Sequence, residues 1–149
     1  MPTPAYRYSG TCHCGAVSVA LELSRPAGDF RLRACQCGFC RPRGTRTISD
    51  AAGRVGITLK AANAVNRYRF GLKLADYLVC ATCGTYVGAV QDDPDRPIAV
   101  INVAGLAIPE FEGLDADPVT YADETPDARH ARRRSYWMPV TVSVSGGGQ

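Results

Sequence analysis

Seven cysteines in a chain of 149 residues constrain this protein more than any other feature, because they fall into three short clusters. The clusters are Cys12-His13-Cys14, Cys35-Gln36-Cys37-Gly38-Phe39-Cys40 and Cys80-Ala81-Thr82-Cys83. An odd count leaves one thiol over in any intramolecular disulfide scheme. The opening residues, Met1 to Tyr6, have neither the basic nor the apolar stretch of a secretory leader. The expected compartment is therefore the reducing cytoplasm, where disulfides are rare. Thiols at this density in such a chain read as metal ligands.

Their spacing suggests how they divide. A C-x-C or C-x-x-C pair can turn two sulfurs toward one ion, and a closed tetrahedral zinc site commonly uses two such pairs far apart in sequence. Cys12, Cys14, Cys80 and Cys83 meet that description. Gly15 and Gly84 follow two of these turns, where backbone amides must bend toward sulfur and a side chain would obstruct. Cys35, Cys37 and Cys40 would then give a second zinc three ligands and leave its fourth position open, as in a reactive site. Other arrangements fit the same residues. One is a single structural zinc with three ordinary buried cysteines; another lets a central cysteine replace one of the outer four. The spacing matches no common ferredoxin run.

The remaining pattern is mainly β. Two-residue alternation marks Val17–Leu23, Ile57–Lys60, Tyr77–Val79 and Val140–Val144 as strands. The apolar runs Tyr86–Val90 and Ile98–Val103 suit buried strands. Arg25–Gly28, Asp93–Asp95 and Glu112–Leu114 read as turns. Helix is scarce: Ser49-Asp50 can cap one turn at Ala51-Ala52, and Thr125–Ser135 reads as a short polar helix. Ser145–Gln149 reads as a frayed glycine-rich tail. With 46% hydrophobic residues and no internal linker, residues 1–149 are expected to form one domain. No apolar stretch approaches the roughly 18 to 20 residues that span a bilayer, so no membrane partner is expected.

Three blocks together are distinctive. Gly10–Val17, Cys35–Gly44 and Cys80–Gly88, in that order and at that separation, resemble the glutathione-dependent formaldehyde-activating family. Asn102 in Ile101-Asn102-Val103 agrees as well, and the resemblance covers about residues 8 to 105. It implies a β-tent zinc fold of small antiparallel sheets with two zinc ions per chain. Cys12, Cys14, Cys80 and Cys83 would hold the structural ion, and Cys35, Cys37 and Cys40 the reactive one. The implied activity is that of a carbon–sulfur lyase: glutathione, or a similar small thiol, adds reversibly to formaldehyde or another aldehyde. The pattern departs after Asn102-Val103, where the family often has an arginine and an acidic residue and this chain has Ala104-Gly105-Leu106. The alternative is a non-catalytic zinc module acting as a thiol carrier or as an interaction domain for protein or nucleic acid.

The other polar features are weighed against simpler roles. His13, between two ligands on an extended segment, is expected to point away from the metal. Arg41, Arg43 and Arg46 follow the central cluster, where Arg41 and Arg43 could attract the carboxylate of a thiol substrate. The run Arg129–Arg134, ahead of Tyr136 and Trp137, could in principle hold nucleic acid. A net charge of +3 argues against that, and the run is expected to be a solvated segment offset by Asp123, Glu124 and Asp127. Tyr68, Phe70 and Tyr77 are expected to pack the sheet rather than line a pocket.

Overall fold

The computed structural model describes residues 6–145, so the glycine-rich tail beyond Ser145 lies outside the described residues. Eleven strands and one α-helix are present among them. In chain order the strands are β1 (Tyr6–Thr11), β2 (Val17–Leu23), β3 (Leu32–Cys35), β4 (Thr47–Ile48), β5 (Arg54–Leu59) and β6 (Val65–Tyr68). They continue with β7 (Asp76–Cys80), β8 (Tyr86–Gln91), β9 (Ile98–Asn102), β10 (Ala116–Val119) and β11 (Met138–Val144), with α1 (Pro126–Tyr136) just before β11. The chain is mainly β. Every expected strand is present, and β1, β3, β4, β6 and β10 join them.

One arm of the sheet runs β1-β2-β5-β11, and a second gathers β6-β7-β8-β9. Strand β11 links the arms. Met138 and Pro139 pair antiparallel with β9, whereas Val140 to Val144 pair parallel with β5. The far edge of β9 continues through β4 to β3 and then β10, which runs parallel to β3. The sheet is therefore mixed, with two parallel pairings among otherwise antiparallel neighbours.

Alternation supplies the core. Val17, Val19, Leu21 and Leu23 of β2 point inward, opposite Val55, Ile57 and Leu59 of β5. Fully burying each such aliphatic side chain contributes roughly 1.5–3 kcal/mol. Strand β8 is buried at every position, because β7 and β9 cover its two edges and side chains cover both faces. Gly88 lets β9 approach: a Cβ there would collide with the Val100 carbonyl oxygen.

The expected polar helix forms as α1, and Ala51-Ala52 make a hydrogen-bonded turn without a helix. Asp50 caps its turn through Oδ1, which accepts from Ala52 N–H at 3.0 Å. Thr125 caps α1, its hydroxyl accepting from Ala128 N–H at 3.1 Å, with Pro126 in the first turn. No helix among the described residues is long and apolar enough to cross a membrane.

Candidate metal centres

The first cluster is assembled by two turns far apart in sequence. Cys12 and Cys14 lie in the β1–β2 connection, Cys80 ends β7, and Cys83 lies in the turn before β8. Cys12 and Cys14 sulfurs are 3.7 Å apart, and Cys14 and Cys80 sulfurs 3.5 Å, across a sequence separation of 66. All four sulfurs fall within 4.8 Å of one another. A tetrahedral ion about 2.3 Å from each sulfur places neighbouring sulfurs about 3.8 Å apart, so the spacing fits such an ion. Backbone N–H groups already point at sulfur, from Val17 to Cys12 at 3.3 Å and from Cys83 to Cys80 at 3.5 Å. The Thr85 hydroxyl beside Cys83 is the main reason that thiol is lowered to about 5.

Glycine serves these turns differently from the expectation. Gly15 and Gly84 have φ of 83° and 79°, a left-handed conformation that other residues adopt at a cost. A Cβ at either would meet nothing within 4 Å. Backbone conformation, not obstruction, requires glycine there. His13 is exposed and stands outside the cluster, as expected.

The second cluster sits where β3 runs into a tight loop. Cys35 ends the strand, Cys37 and Cys40 follow, and a 3-10 turn at Arg41–Arg43 closes on Gly44, whose φ is 61°. Cys40 N–H donates to Cys37 Sγ at 3.3 Å, and the three sulfurs lie within 4.8 Å of one another. Each cluster could hold a metal ion. Cys35 is the readiest to lose its proton, lowered to about 5. A hydrogen bond from Cys40 does most of this, Cys37 and the Arg132 charge assist, and burial opposes it. The Cys40 thiol is correspondingly pushed up.

Asn102 has a mechanical role. Buried at the end of β9, it accepts from Arg46 N–H at 3.1 Å and donates to the Tyr86 carbonyl at 2.9 Å. It thus fixes the segment following the second cluster against β8. The small residues after it are needed, since a Cβ at Gly105 would press on the Asn102 amide at 2.9 Å.

The two clusters differ in what surrounds them. A cavity of about 60 Å³ opens onto Cys35 and Cys40, walled by Tyr77, Trp137, Arg33, Arg132 and Arg133. Tyr77 packs against Phe39 and Tyr86, as expected, but also lines this pocket, which was not. Tyr68 and Phe70 also differ: they stack with Phe39 at ring-centroid separations of 5.8 and 5.2 Å and line an outer groove with it.

The arginines are redistributed too. Arg41 and Arg43, expected near the thiol substrate, are exposed and do not line the cavity. Arg43 instead donates to the Phe39 carbonyl at 2.8 Å and lies over that ring. Sequence reasoning missed Arg33, Arg132 and Arg133. The last two belong to the run expected to be solvated, yet Arg133 is buried and Arg132 half-buried. Glu124 does offset Arg129 and Arg132, as expected, but Arg134 pairs with Asp93 and Asp95. The spacing of Arg133 and Trp137, one helical turn apart, was the signal available, and a charged face conceals it.

The protein is thus a mainly β scaffold carrying two thiol clusters, each of which could hold a metal ion. No family model matches the sequence. The structure is similar to the crystal structure of a Rhodobacter sphaeroides protein, at 30% identity and a TM-score of 0.55. The match covers 74% of this chain and 99% of that one, and the chain belongs to the same family as that protein.

Proposed function

We propose that the chain is a zinc-dependent enzyme that promotes the reversible addition of a small thiol, glutathione or a relative, to an aldehyde. The observation that supports this reading is the asymmetry between the clusters. Four sulfurs close one site, whereas the other has three, and two of its cysteines, Cys35 and Cys40, border a cavity. Zinc held by Cys35, Cys37 and Cys40 would supply Lewis acidity and a fourth ligand position, lowering the proton affinity of a thiol that reached it.

The reaction breaks the thiol S–H bond, makes one carbon–sulfur bond and turns the carbonyl double bond into a carbon–oxygen single bond; the oxygen gains one proton from a donor acid, and the proton released by sulfur restores that acid. The side chains around the cavity suit those needs. Tyr77, Tyr86 and Trp137 restrict water, which strengthens every charge interaction inside. Arg132 faces the same space and stabilises negative charge developing on oxygen. Tyr77 is the group we assign to proton donation. Its hydroxyl oxygen accepts from Arg133 Nη2 at 3.4 Å, which leaves its own proton free, and burial raises its pKa above 10.0, so it stays protonated at neutral pH.

Exchange NMR on mixtures of thiol and aldehyde, with and without protein, tests the reading. The hemithioacetal is expected to form and break faster with protein present, and more slowly again with Tyr77→Phe. No acceleration across a panel of thiols and aldehydes would refute catalysis and favour a thiol-binding module.

A further inference from the structure

The cavity at the second cluster is lined by three arginines, of which only Arg132 is held by a carboxylate among the described residues. Arg133, 5% exposed, projects from α1 with only neutral partners. Its Nη1 donates to Gln91 Oε1 at 2.7 Å, its Nη2 to the Tyr77 hydroxyl at 3.4 Å, and its guanidinium lies 4.5 Å from the Trp137 ring centroid. Its Nε, also buried, has no hydrogen-bond partner among the described residues. A buried guanidinium without an anion is costly, and buried charges are ordinarily paired. Arg33 enters from β3 and lies 4.9 Å from the Tyr136 ring; Asp117, opposite it on β10, feels its charge but is held by Arg31, and no carboxylate is in ion-pair distance of Arg33 among the described residues. Arg132 differs, because both Glu124 oxygens hold it, at 2.8 and 3.0 Å. Three arginines thus share this wall, and two of them form no ion pair with a carboxylate among the described residues.

The size of the space limits what can bring that anion. About 60 Å³ admits on the order of five non-hydrogen atoms, and pockets for drug-sized ligands start near 300 Å³. Only the thiol end of a tripeptide such as glutathione could enter, and its cysteine carboxyl is tied into a peptide bond.

We propose that this cavity binds a short mercaptocarboxylate, with its sulfur at the Cys35, Cys37 and Cys40 cluster and its carboxylate between Arg33 and Arg133. The sulfur end rests on the function proposed above; the carboxylate end stands on the arginines alone. Charge-assisted hydrogen bonds from guanidinium to carboxylate are strong and directional, so the acid group selects the ligand.

Trp137 is the single tryptophan and reports from the cavity wall. Its fluorescence is followed while the metal-bearing protein is titrated with 3-mercaptopropionate, 2-mercaptoethanol, propionate and glutathione, with calorimetry in parallel. 3-Mercaptopropionate is expected to bind at least tenfold more tightly than each of the others. Arg33→Gln, which removes no side-chain hydrogen bond among the described residues, is expected to abolish that preference while leaving 2-mercaptoethanol binding unchanged. Arg133→Met provides the second variant, its folding checked by its melting curve. Equal affinity for the charged and uncharged thiols would overturn the proposal and leave the thiol reading standing, the arginines then balancing the cysteine cluster itself. Propionate binding as tightly as 3-mercaptopropionate would overturn the sulfur end, and with it the thiol reading, while upholding the anion site. Glutathione binding more tightly than 3-mercaptopropionate would overturn the assignment to a short acid.

Discussion

Replacing Cys80 by serine removes one of the four sulfurs that join the β1–β2 turn to the β7–β8 turn, at a site only 2% exposed. The join spans a sequence separation of 66 between Cys14 and Cys80. Closing a loop of that length removes about 4 kcal/mol of conformational freedom from the unfolded chain, and a metal clip acts on it as a covalent crosslink does. Against a typical stability of about 5–15 kcal/mol, that loss lowers the melting temperature by on the order of 10 °C. Cys40 provides the contrast, because Cys35 and Cys40 are five positions apart and their shared ion crosslinks little chain. Thermal melts followed by circular dichroism, with elemental analysis of the same samples, measure both variants. Wild type is expected to carry two zinc ions, and stripping them with a strong chelator should reproduce the Cys80→Ser loss. Cys40→Ser should retain one ion and melt within a few degrees of wild type. If Cys40→Ser fell as far as Cys80→Ser, or if stripped wild type kept its melting temperature, the division into a crosslinking and a reactive site would be wrong.

Two further outcomes follow from packing and charge. Gly88→Ala should destabilise the protein by about 2–3 kcal/mol in urea unfolding, since a Cβ there meets the Val100 carbonyl and approaches Ile101 Cα at 3.3 Å, which would force β8 from β9; an unchanged midpoint would show that this pair can separate freely. Glu124 is held below its ordinary value of 4.5, first by the Arg132 hydrogen bonds and then by Arg129, against the cost of burial. A carboxylate lowered on folding contributes stability that is complete above its unfolded value and lost as pH falls through its folded value. Glu124→Gln should therefore cost about 1–2 kcal/mol at pH 7, with the gap closing in melts below pH 4.5; a gap constant from pH 7 to 3 would contradict the pairing.

Parts of the fold could be read directly from residue order. Strands β2 and β5 alternate cleanly because one face of each is buried, and α1 announces itself through Thr125 and Pro126. Strands β1, β6 and β10 carry arginine, tyrosine, asparagine or proline at mostly exposed positions, and their pairing partners hold them in place. Strand β4 is two residues long and exists only between β3 and β9. The cysteine groups were legible for a local reason, since each turn points its sulfurs one way within a few residues.

The arginines around the second cluster had no such local signal. Arg41 and Arg43 are next to it in sequence, but the 3-10 turn at Arg41–Arg43 leaves them facing solvent. Arg133 is remote in sequence and enters because α1 leads directly into β11, which pairs with β9 and brings the helix over β7 and β8.

By itself the sequence determined the strand-rich character and the three thiol-bearing turns, because two-residue alternation and C-x-C or C-x-x-C spacing act over a handful of residues. Only the tertiary structure decided which turns meet, which cluster borders a cavity and which arginines stand beside it. Those outcomes depend on strand pairings between segments tens of residues apart, whose register is set by burial across the whole sheet.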